Sequence, residues 1–321
     1  MKTGKLSESI LKRSILKQVK NRRQEVSRGT GIGEDCALFS FAGHRLALST
    51  TSFSVFREDF VCAQVMAAVN NMAAGGAVPI GILVSATLPK EAEEGQIKAL
   101  MAQVEKACCI LDIQAAGGDT RISGEVACAQ LTITAFGRAD KDGGLSGSYQ
   151  PGQDVVMTKW AGLGGTTFLV KENRKQLQSR LPSRLLDEAE SFEQLVSVLP
   201  EASIAVRYGV SGMHDVSRGG IFTALWELAE GDKKGLEIDL KKLPIRQETV
   251  EVCELLGKNP YDLYGAGSLL IVCNQGDQLV RLLEQENIPA AVIGKITTDK
   301  AKIIWNQEEK RFLDRPAGDK E

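Results

Sequence analysis

The sequence predicts an α/β (α+β) protein of two domains, and three observations support this. Apolar runs of strand length alternate with segments of helical periodicity in both halves of the chain. A stretch rich in turn-forming residues, 141–148, separates the halves, and Pro151 and Gly152 then open a new strand. The 321 residues suffice for two domains of ordinary size. We therefore expect domains at 1–148 and 149–321, the second with a mixed sheet flanked by helices.

The first half begins with a basic segment that predicts a helix. Leu6, Ile10, Leu11, Leu16 and Val19 have amphipathic spacing, and no unbroken apolar stretch marks a secretory signal. The elements that follow are a strand at 46–50, a helix at 60–72, a strand at 80–88, a helix from Ile97 to Leu111 and a strand at 126–136.

The second half repeats this style. Short apolar runs predict strands, and apolar positions three and four residues apart predict helices. The strands are expected at 154–158, 236–240, 268–273, 291–296 and 302–305. One helix is expected to start at 166–171. Three more are expected at 221–230, at 250–256 and around Leu279 to Leu283.

The composition excludes several classes of protein. Hydrophobic residues make up 43% and charged residues 25%, with a net charge of −2 and cations spread along the chain, which argues against a nucleic-acid or membrane surface as main partner. The 7 cysteines form no CxxC pair and only 2 histidines occur, so we expect reduced thiols in a cytoplasmic protein and no metal site built on cysteine. No apolar run reaches the length of a membrane span.

Two glycine-rich segments carry acidic residues. Residues 29–37, GTGIGEDCA, could form a loop near a phosphate, but they are neither a Rossmann nor a Walker A loop, and taken alone a flexible connector is the better interpretation. Residues 115–120, AAGGDT, include Gly117, Gly118 and Asp119. We expect a strand to end here with Asp119 at its carboxyl end, where ligand groups are common. The alternative is a turn in which Asp119 bonds its own backbone.

Two further segments lie at helix ends. Asn70 and Asn71 interrupt an otherwise apolar helix, so their amide oxygens are aimed at a metal or ligand, or they form a polar helix end. Residues 214–221, HDVSRGGI, lead into a helix for which Ser217 is the predicted N-cap. The glycine pair there exposes N–H groups that suit a phosphate. The alternative is simple capping, with His214 as a hydrogen-bonded core residue.

Together these segments form an ordered set. They are GEDCA at 33–37, LSTTS at 48–52, NNMA at 70–73, GAVP at 76–79, GGDT at 117–120, GLGGT at 162–166 and HDVSRGG at 214–220. In order and spacing the set resembles the motifs G[ED]DAA, S/T-T-D, N-D-[LV]-A, G-A-x-P, G-G-D-T, G-x-x-G-T and HD-x-[ST]-[RE]-G-G of the aminoimidazole ribonucleotide (AIR) synthase family. The resemblance covers nearly the whole chain. Within the family, the hydrogenase maturation type HypE is the most similar.

The resemblance implies a homodimer in which the first domains pair their sheets into a shared barrel. It also implies ATP in a cleft, Mg²⁺ held by aspartates on the phosphates, and activation of an amide or carboxyl-type oxygen by phosphoryl transfer. The residues implied to bind the nucleotide are Asp35, Asn70, Asn71, Gly117, Gly118, Asp119, Gly219 and Gly220. Those implied to bind the metal are Asp35, Asp119, Thr51 and Asn71, and the catalytic candidates are His214 and Asp215.

The sequence departs from the family pattern at three places. Thr51 and Asn71 replace two of the family's aspartates, so two negative charges are missing and the Mg²⁺ site is expected to be weakened. HypE modifies a cysteine at its own C-terminus, whereas no cysteine follows Cys273 in this sequence. We therefore do not expect the self-modifying chemistry.

Three hypotheses remain open at this point. The first is a HypE-like ATP-dependent enzyme that acts on a separate small molecule or on a partner protein, with a role in hydrogenase or metalloenzyme maturation. The second is a non-catalytic relative that binds a nucleotide or partner protein in assembly or regulation. The third is a small-molecule kinase of the thiamine-monophosphate kinase type.

Overall fold

The computed structural model describes residues 8–20, 23–29, 31–41, 44–139 and 148–316. Except for Ser148, the linker expected at 141–148 lies outside these residues. The chain packs into two compact units. The N-terminal unit comprises 24–29 and 35–144, and the C-terminal unit comprises 145–321 together with 1–23 and 30–34. Two early segments of the chain thus belong to the C-terminal unit.

The N-terminal unit contains a mixed six-stranded sheet. Its strands are β1 (Val26–Arg28), β2 (Ala37–Phe41), β3 (His44–Val55), β4 (Ala77–Pro89), β5 (Gln114–Ser123) and β6 (Ala129–Ala139). They lie in the order β1-β2-β3-β6-β4-β5. All neighbours are antiparallel except β4 and β5, which are parallel.

The two faces of this sheet differ in their covering. Helix α2 (Val61–Ala74), entered by a 3₁₀ turn at Glu58–Phe60, packs on β3, β4 and β6, and α3 (Glu94–Leu111) packs on α2 and β5. On β4 the buried side chains that face the helices alternate with exposed ones. The opposite face, called the open face below, exposes the apolar side chains Leu46, Val78, Ile80 and Leu83 by 42, 51, 52 and 43%.

The C-terminal unit contains a second mixed sheet, of seven strands. They are β7 (Asp154–Thr158), β8 (Gly212–Val216), β9 (Gly235–Asp239), β10 (Ser268–Cys273), β11 (Ala290–Thr297), β12 (Lys302–Asn306) and β13 (Glu309–Phe312). Their order is β13-β12-β9-β11-β7-β10-β8, antiparallel except for the pair β9 and β12. The predicted mixed α/β architecture is thus confirmed in both units.

Helices pack around this second sheet. They are α1 (Glu8–Ile10) with a π-helical continuation (Leu11–Leu16), α4 (Leu163–Leu177), α5 (Ser183–Ser191), α6 (Leu199–Tyr208), α7 (Gly220–Gly231), α8 (Gln247–Leu256) and α9 (Gly276–Gln285), with 3₁₀ turns at Phe192–Leu195 and Leu240–Lys242. Ile221 and Leu225 of α7 share one buried core with Met157 and Ile293 of the sheet. Leu163, Leu186 and Val252 anchor a second core between α4, α5 and α8. None of the described helices is long and apolar enough to cross a membrane.

Ion pairs attach the N-terminal helix to the C-terminal unit. Lys12 Nζ donates to Glu230 Oε1 at 3.1 Å, and Lys302 Nζ donates to Glu230 Oε2 at 3.0 Å. Glu8 is buried and pairs with both Lys12 and Arg315. The predicted amphipathic helix is present in part, as an α-helical turn at Glu8–Ile10 and a π-helical segment at Leu11–Leu16. Val19 lies beyond its end, and Leu6 lies outside the described residues.

Candidate functional site

Four polar residues of the N-terminal unit meet where β3 lies against the end of α2. Asn71 Nδ2 donates to Thr51 Oγ1 at 3.2 Å and to Ser49 Oγ at 3.1 Å. Ser49 Oγ donates in turn to the main-chain oxygen of Asp35 at 3.1 Å. Asp35, Ser49, Thr51 and Asn71 are called the Asn71 cluster below. The structure thus brings together three of the four residues that the resemblance assigned to a metal.

Ser49 belongs to this cluster although it was not among the predicted site residues. Successive side chains of a strand point to opposite faces, so Ser49 and Thr51 both face α2. Ser49 is 8% exposed and stands among the apolar side chains Ala47 and Phe53 of that face. Ser49 could have been identified because it places a hydroxyl among the apolar residues at every second position of β3.

Two neighbours complete this corner of the N-terminal unit. Asn70 is almost fully buried in α2. Cys36 Sγ lies so close to Gly75 that a Cβ on Gly75 would be 2.2 Å from the sulfur. Gly75, which ends α2, therefore allows the chain at Cys36 to approach the helix terminus closely.

Asp119 lies elsewhere on the sheet. The residues paired in register across it are Ser52 on β3, Thr132 on β6, Ser85 on β4 and Asp119 on β5. Ser52 points to the face opposite Thr51, so Asp119 lies on the open face. Two strands separate β5 from β3, which corresponds to about 14 Å between their axes. Within one chain, Asp119 is not a neighbour of Thr51 and Asn71.

The expectation that a strand ends at Asp119 is wrong. Strand β5 continues to Ser123, and Asp119 stands in its interior. A Cβ on Gly118 would lie 1.8 Å from the main-chain oxygen of Val84, so only glycine permits this pairing of β5 with β4. Gly118 therefore serves close strand packing, and both Gly117 and Gly118 lie inside the strand and do not form a turn.

A magnesium ion held jointly by the four predicted ligands does not fit these positions. Asn71 turns its N–H edge toward Thr51, and neither side chain carries a negative charge. Mg²⁺ prefers carboxylate and other oxygen ligands in near-octahedral geometry. Among the residues that the structure describes, no group of three or more His, Cys, Asp or Glu side chains could hold a metal ion.

The catalytic candidates lie on β8 of the C-terminal unit. His214 and Asp215 are both buried, at 5 and 4% exposure. His214 Nε2 lies 3.3 Å from Glu227 Oε2 on α7. No pattern in the sequence indicates Glu227, because its partner is 13 residues away on another element. A carboxylate beside one ring nitrogen fixes the orientation of a buried imidazole.

The glycine pair before α7 is explained by packing. Gly219 is the N-cap with φ +81°, so the prediction of Ser217 as N-cap is wrong. A Cβ on Gly220 would lie 2.2 Å from the oxygen of Tyr261. The N–H groups of Gly220 and Ile221 donate to the oxygens of Ser217 and Tyr261. Both donors are thus used inside the protein, and phosphate binding at Gly219 and Gly220 stays a prediction.

The glycine-rich segment at 31–34 packs on the same helix. A Cβ on Gly33, which has φ +72°, would lie 2.7 Å from the oxygen of Glu227. Likewise a Cβ on Gly231 would lie 3.1 Å from the oxygen of Ile32. Glu227 therefore contacts this segment through its main chain and His214 through its side chain.

Tyr264 is partly buried near Asp215 and Arg218. The nitrogen of Gly165, which follows β7, donates to the oxygen of Tyr264 at 2.7 Å. Burial raises the pKa of Tyr264, the charge of Asp215 raises it further, and Arg218 opposes both. The phenol therefore remains neutral at physiological pH and can serve as a hydrogen-bond donor beside Asp215.

Both units match one family. The domain described as "AIR synthase related protein, N-terminal domain" matches residues 33–139, and the corresponding C-terminal domain matches residues 150–306. The chain belongs to the AIR synthase related family. These two matches leave only the ends of the chain and a short connection between the domains outside the family.

Curated relatives of the chain include carbamoyl dehydratases. The chain is 26% identical to carbamoyl dehydratase HypE of Rhodobacter capsulatus over 271 residues, which covers 81% of this chain and 77% of that protein. It is 25% identical to carbamoyl dehydratase HypE of Escherichia coli over 299 residues, with 88 and 85% covered. The similarity to these two proteins extends through both units.

Solved structures show the same fold. A chain of a HypE–HypF complex superposes with a TM-score of 0.74 at 19% identity, covering 89% of this chain and 94% of that chain. HypE in complex with ATP superposes with a TM-score of 0.70 at 18% identity, covering 97 and 92%. At these identities the likeness establishes the two-domain fold.

Proposed function

We propose that this chain is a HypE-type, ATP-dependent enzyme that activates an amide or carboxyl-type oxygen by phosphoryl transfer, in the maturation of a hydrogenase or another metalloenzyme. The observation that carries this proposal is the similarity through both units to proteins named carbamoyl dehydratase HypE. The complex of HypE with ATP supports ATP as the nucleotide.

The acceptor in this proposal is a separate small molecule or a side chain of a partner protein. Residues 274–321 contain no cysteine, and Cys273 is buried in strand β10. Burial raises the pKa of the Cys273 thiol to about 12, so this thiol is a poor nucleophile at physiological pH. HypE has been crystallised with a protein partner, HypF, which supports a partner protein as the source of the acceptor.

The Asn71 cluster favours a second candidate, a non-catalytic relative that binds a nucleotide or a partner protein. Asn71 donates its amide N–H bonds to Thr51 and Ser49, and Thr51 and Asn71 contribute no charge with which to neutralise a triphosphate or its metal. The pairing of buried His214 with Glu227 favours the enzyme, because a buried imidazole held by a carboxylate suits proton transfer. Both candidates require a nucleotide or partner site but differ in turnover.

Calorimetry and a turnover assay test the proposal. We expect ATP to bind more tightly than AMP, and ADP to be released when a carbamoylated acceptor is supplied. His214→Gln should abolish turnover without abolishing ATP binding, since glutamine cannot exchange a proton at neutral pH. ATP binding without ADP release would favour the second candidate. Absence of binding of any adenine nucleotide at millimolar concentration would contradict the enzyme proposal.

A further inference from the structure

The side-chain amide of Asn71 occupies the space between two oxygens of β3. Its nitrogen lies 3.1 Å from Ser49 Oγ and 3.2 Å from Thr51 Oγ1. The two oxygens belong to side chains on the same face of one strand. A group with positive partial charge therefore sits where both oxygens can be contacted at once.

The hydrogen-bond chain fixes the orientation of this amide. The main-chain oxygen of Asp35 can only accept, and it lies 3.1 Å from Ser49 Oγ. Ser49 has a single hydroxyl hydrogen, which is used by Asp35. The Asn71 atom that faces Ser49 must then be a donor, so it is Nδ2 and not Oδ1. The second hydrogen of the same nitrogen points to Thr51 Oγ1.

This arrangement opposes a divalent cation at the same place. An ion bound between Ser49 and Thr51 would face the two N–H bonds of Asn71, whose partial charge has the same sign as the ion. Mg²⁺ also requires oxygen ligands at about 2.1 Å, and an amide nitrogen is not such a ligand.

We propose that the amide of Asn71 takes the place of a divalent cation, so that the Asn71 cluster is assembled without metal. The two N–H bonds do what a bound ion would do: they draw the oxygens of β3 toward α2 and, through Ser49, hold the main chain at Asp35. The protein then needs no Mg²⁺ to order this corner of its N-terminal unit. This inference concerns the folded chain itself and does not depend on whether ATP is its ligand.

Thermal unfolding with and without divalent ions tests the inference. The wild-type Tm should be the same, within about 1 °C, in EDTA and in millimolar Mg²⁺ or Mn²⁺. The Asn71→Asp variant loses the two N–H donors of the amide. The single hydroxyl hydrogen of Ser49 must then serve two acceptors, the main-chain oxygen of Asp35 and the new carboxylate. We expect its Tm in EDTA to fall by roughly 5 °C. Mg²⁺ or Mn²⁺ should restore most of this loss, because a carboxylate now faces the two hydroxyl oxygens.

Two variants serve as controls. Asn71→Ala loses the same donors but gains no carboxylate, so its lower Tm should not respond to divalent ions. Asn173 of the C-terminal unit donates Nδ2 to the oxygen of Leu169 at 2.9 Å. Asn173→Asp should therefore lose a comparable bond and should likewise show no recovery with Mg²⁺.

Three outcomes would overturn the inference. They are a rise of several degrees in wild-type Tm with Mg²⁺ that Thr51→Val removes, an Asn71→Asp variant with wild-type Tm in EDTA, and an Asn71→Asp variant that no divalent ion stabilises. If the Asn71→Asp variant does not fold, electron paramagnetic resonance can measure Mn²⁺ binding to the wild-type protein instead. Mn²⁺ binding that is lost in Thr51→Val would contradict the inference. Failure of ATP to bind would contradict the proposed function alone.

Discussion

Lys159 follows strand β7, and its ammonium group is enclosed by acceptors. Nζ lies 2.7 Å from Glu201 Oε1, 2.8 Å from the oxygen of Leu195 and 2.7 Å from the oxygen of Ser197. The side chains of Lys159 and Glu201 are only 7 and 2% exposed. Burial lowers the pKa of Lys159, against the opposing attraction of Glu201. The three acceptors match the three N–H bonds of the ammonium group.

Replacing Lys159 alone should destabilise the C-terminal unit strongly. Lys159→Met leaves the carboxylate of Glu201 buried without a cation and two main-chain oxygens without this donor. Removal of one partner from a buried pair costs about 3–5 kcal/mol in the free energy of unfolding. The double variant Lys159→Met/Glu201→Leu removes both charges, and we expect it to regain most of this loss.

Urea unfolding of the four members of this double-mutant cycle measures the effect. Lys295→Met is the matched control, because Lys295 is 66% exposed and lies 3.9 Å from Asp154. The control should lose less than about 1 kcal/mol. A Lys159→Met protein as stable as the control would refute the reasoning, as would a double variant no more stable than Lys159→Met.

Three further predictions concern the whole chain. We expect a homodimer through the open face of the N-terminal sheet, because its exposed apolar side chains need cover; a mass near 34.7 kDa by light scattering at micromolar concentration would contradict this. After incubation with ATP and a carbamoyl donor, intact-mass spectrometry should find no adduct on residues 274–321, which contain no thiol; a mass gain mapped there would contradict the proposed acceptor. At about pH 8 a thiol reagent should react rapidly with Cys109 and Cys128 only. Burial raises the pKa of Cys253 to about 11 and that of Cys273 to about 12, which keeps both thiols protonated. Rapid modification of Cys253 or Cys273 would contradict the packing around that thiol.

The sequence predicts elements well where hydrophobic runs have clear ends. The strand at 154–158 agrees in both bounds, and so does the strand at 268–273, where six buried residues follow one another. The order of glycine and acidic motifs was sufficient to identify the family. Helices α5 and α6 were not predicted, because charged and polar residues dilute their apolar periodicity.

The site was harder to predict because its contacts join distant segments. A glycine pair indicates only that the backbone is crowded or bent there, and not what approaches it. Gly118 accommodates a neighbouring strand and Gly220 a loop, and their assignment to a nucleotide stays a prediction. Ser49 and Glu227 act through partners that are remote in sequence, Asn71 and His214, and such pairing has no periodic signature.

The attachment of the N-terminal helix has a consequence for how the chain folds during synthesis. Lys12 pairs with Glu230, which lies 218 residues later. At a translation rate of about 5–20 residues per second, the ribosome needs roughly 10–40 s to make that partner. The N-terminal helix is therefore synthesised long before the surface on which it docks, and all strands of the N-terminal sheet are synthesised in between. Until α7 has been synthesised, the apolar side of the N-terminal helix is a candidate for binding by chaperones. A fusion tag that hinders the late docking of this helix would destabilise the C-terminal unit and not the N-terminal unit, which follows the helix in sequence.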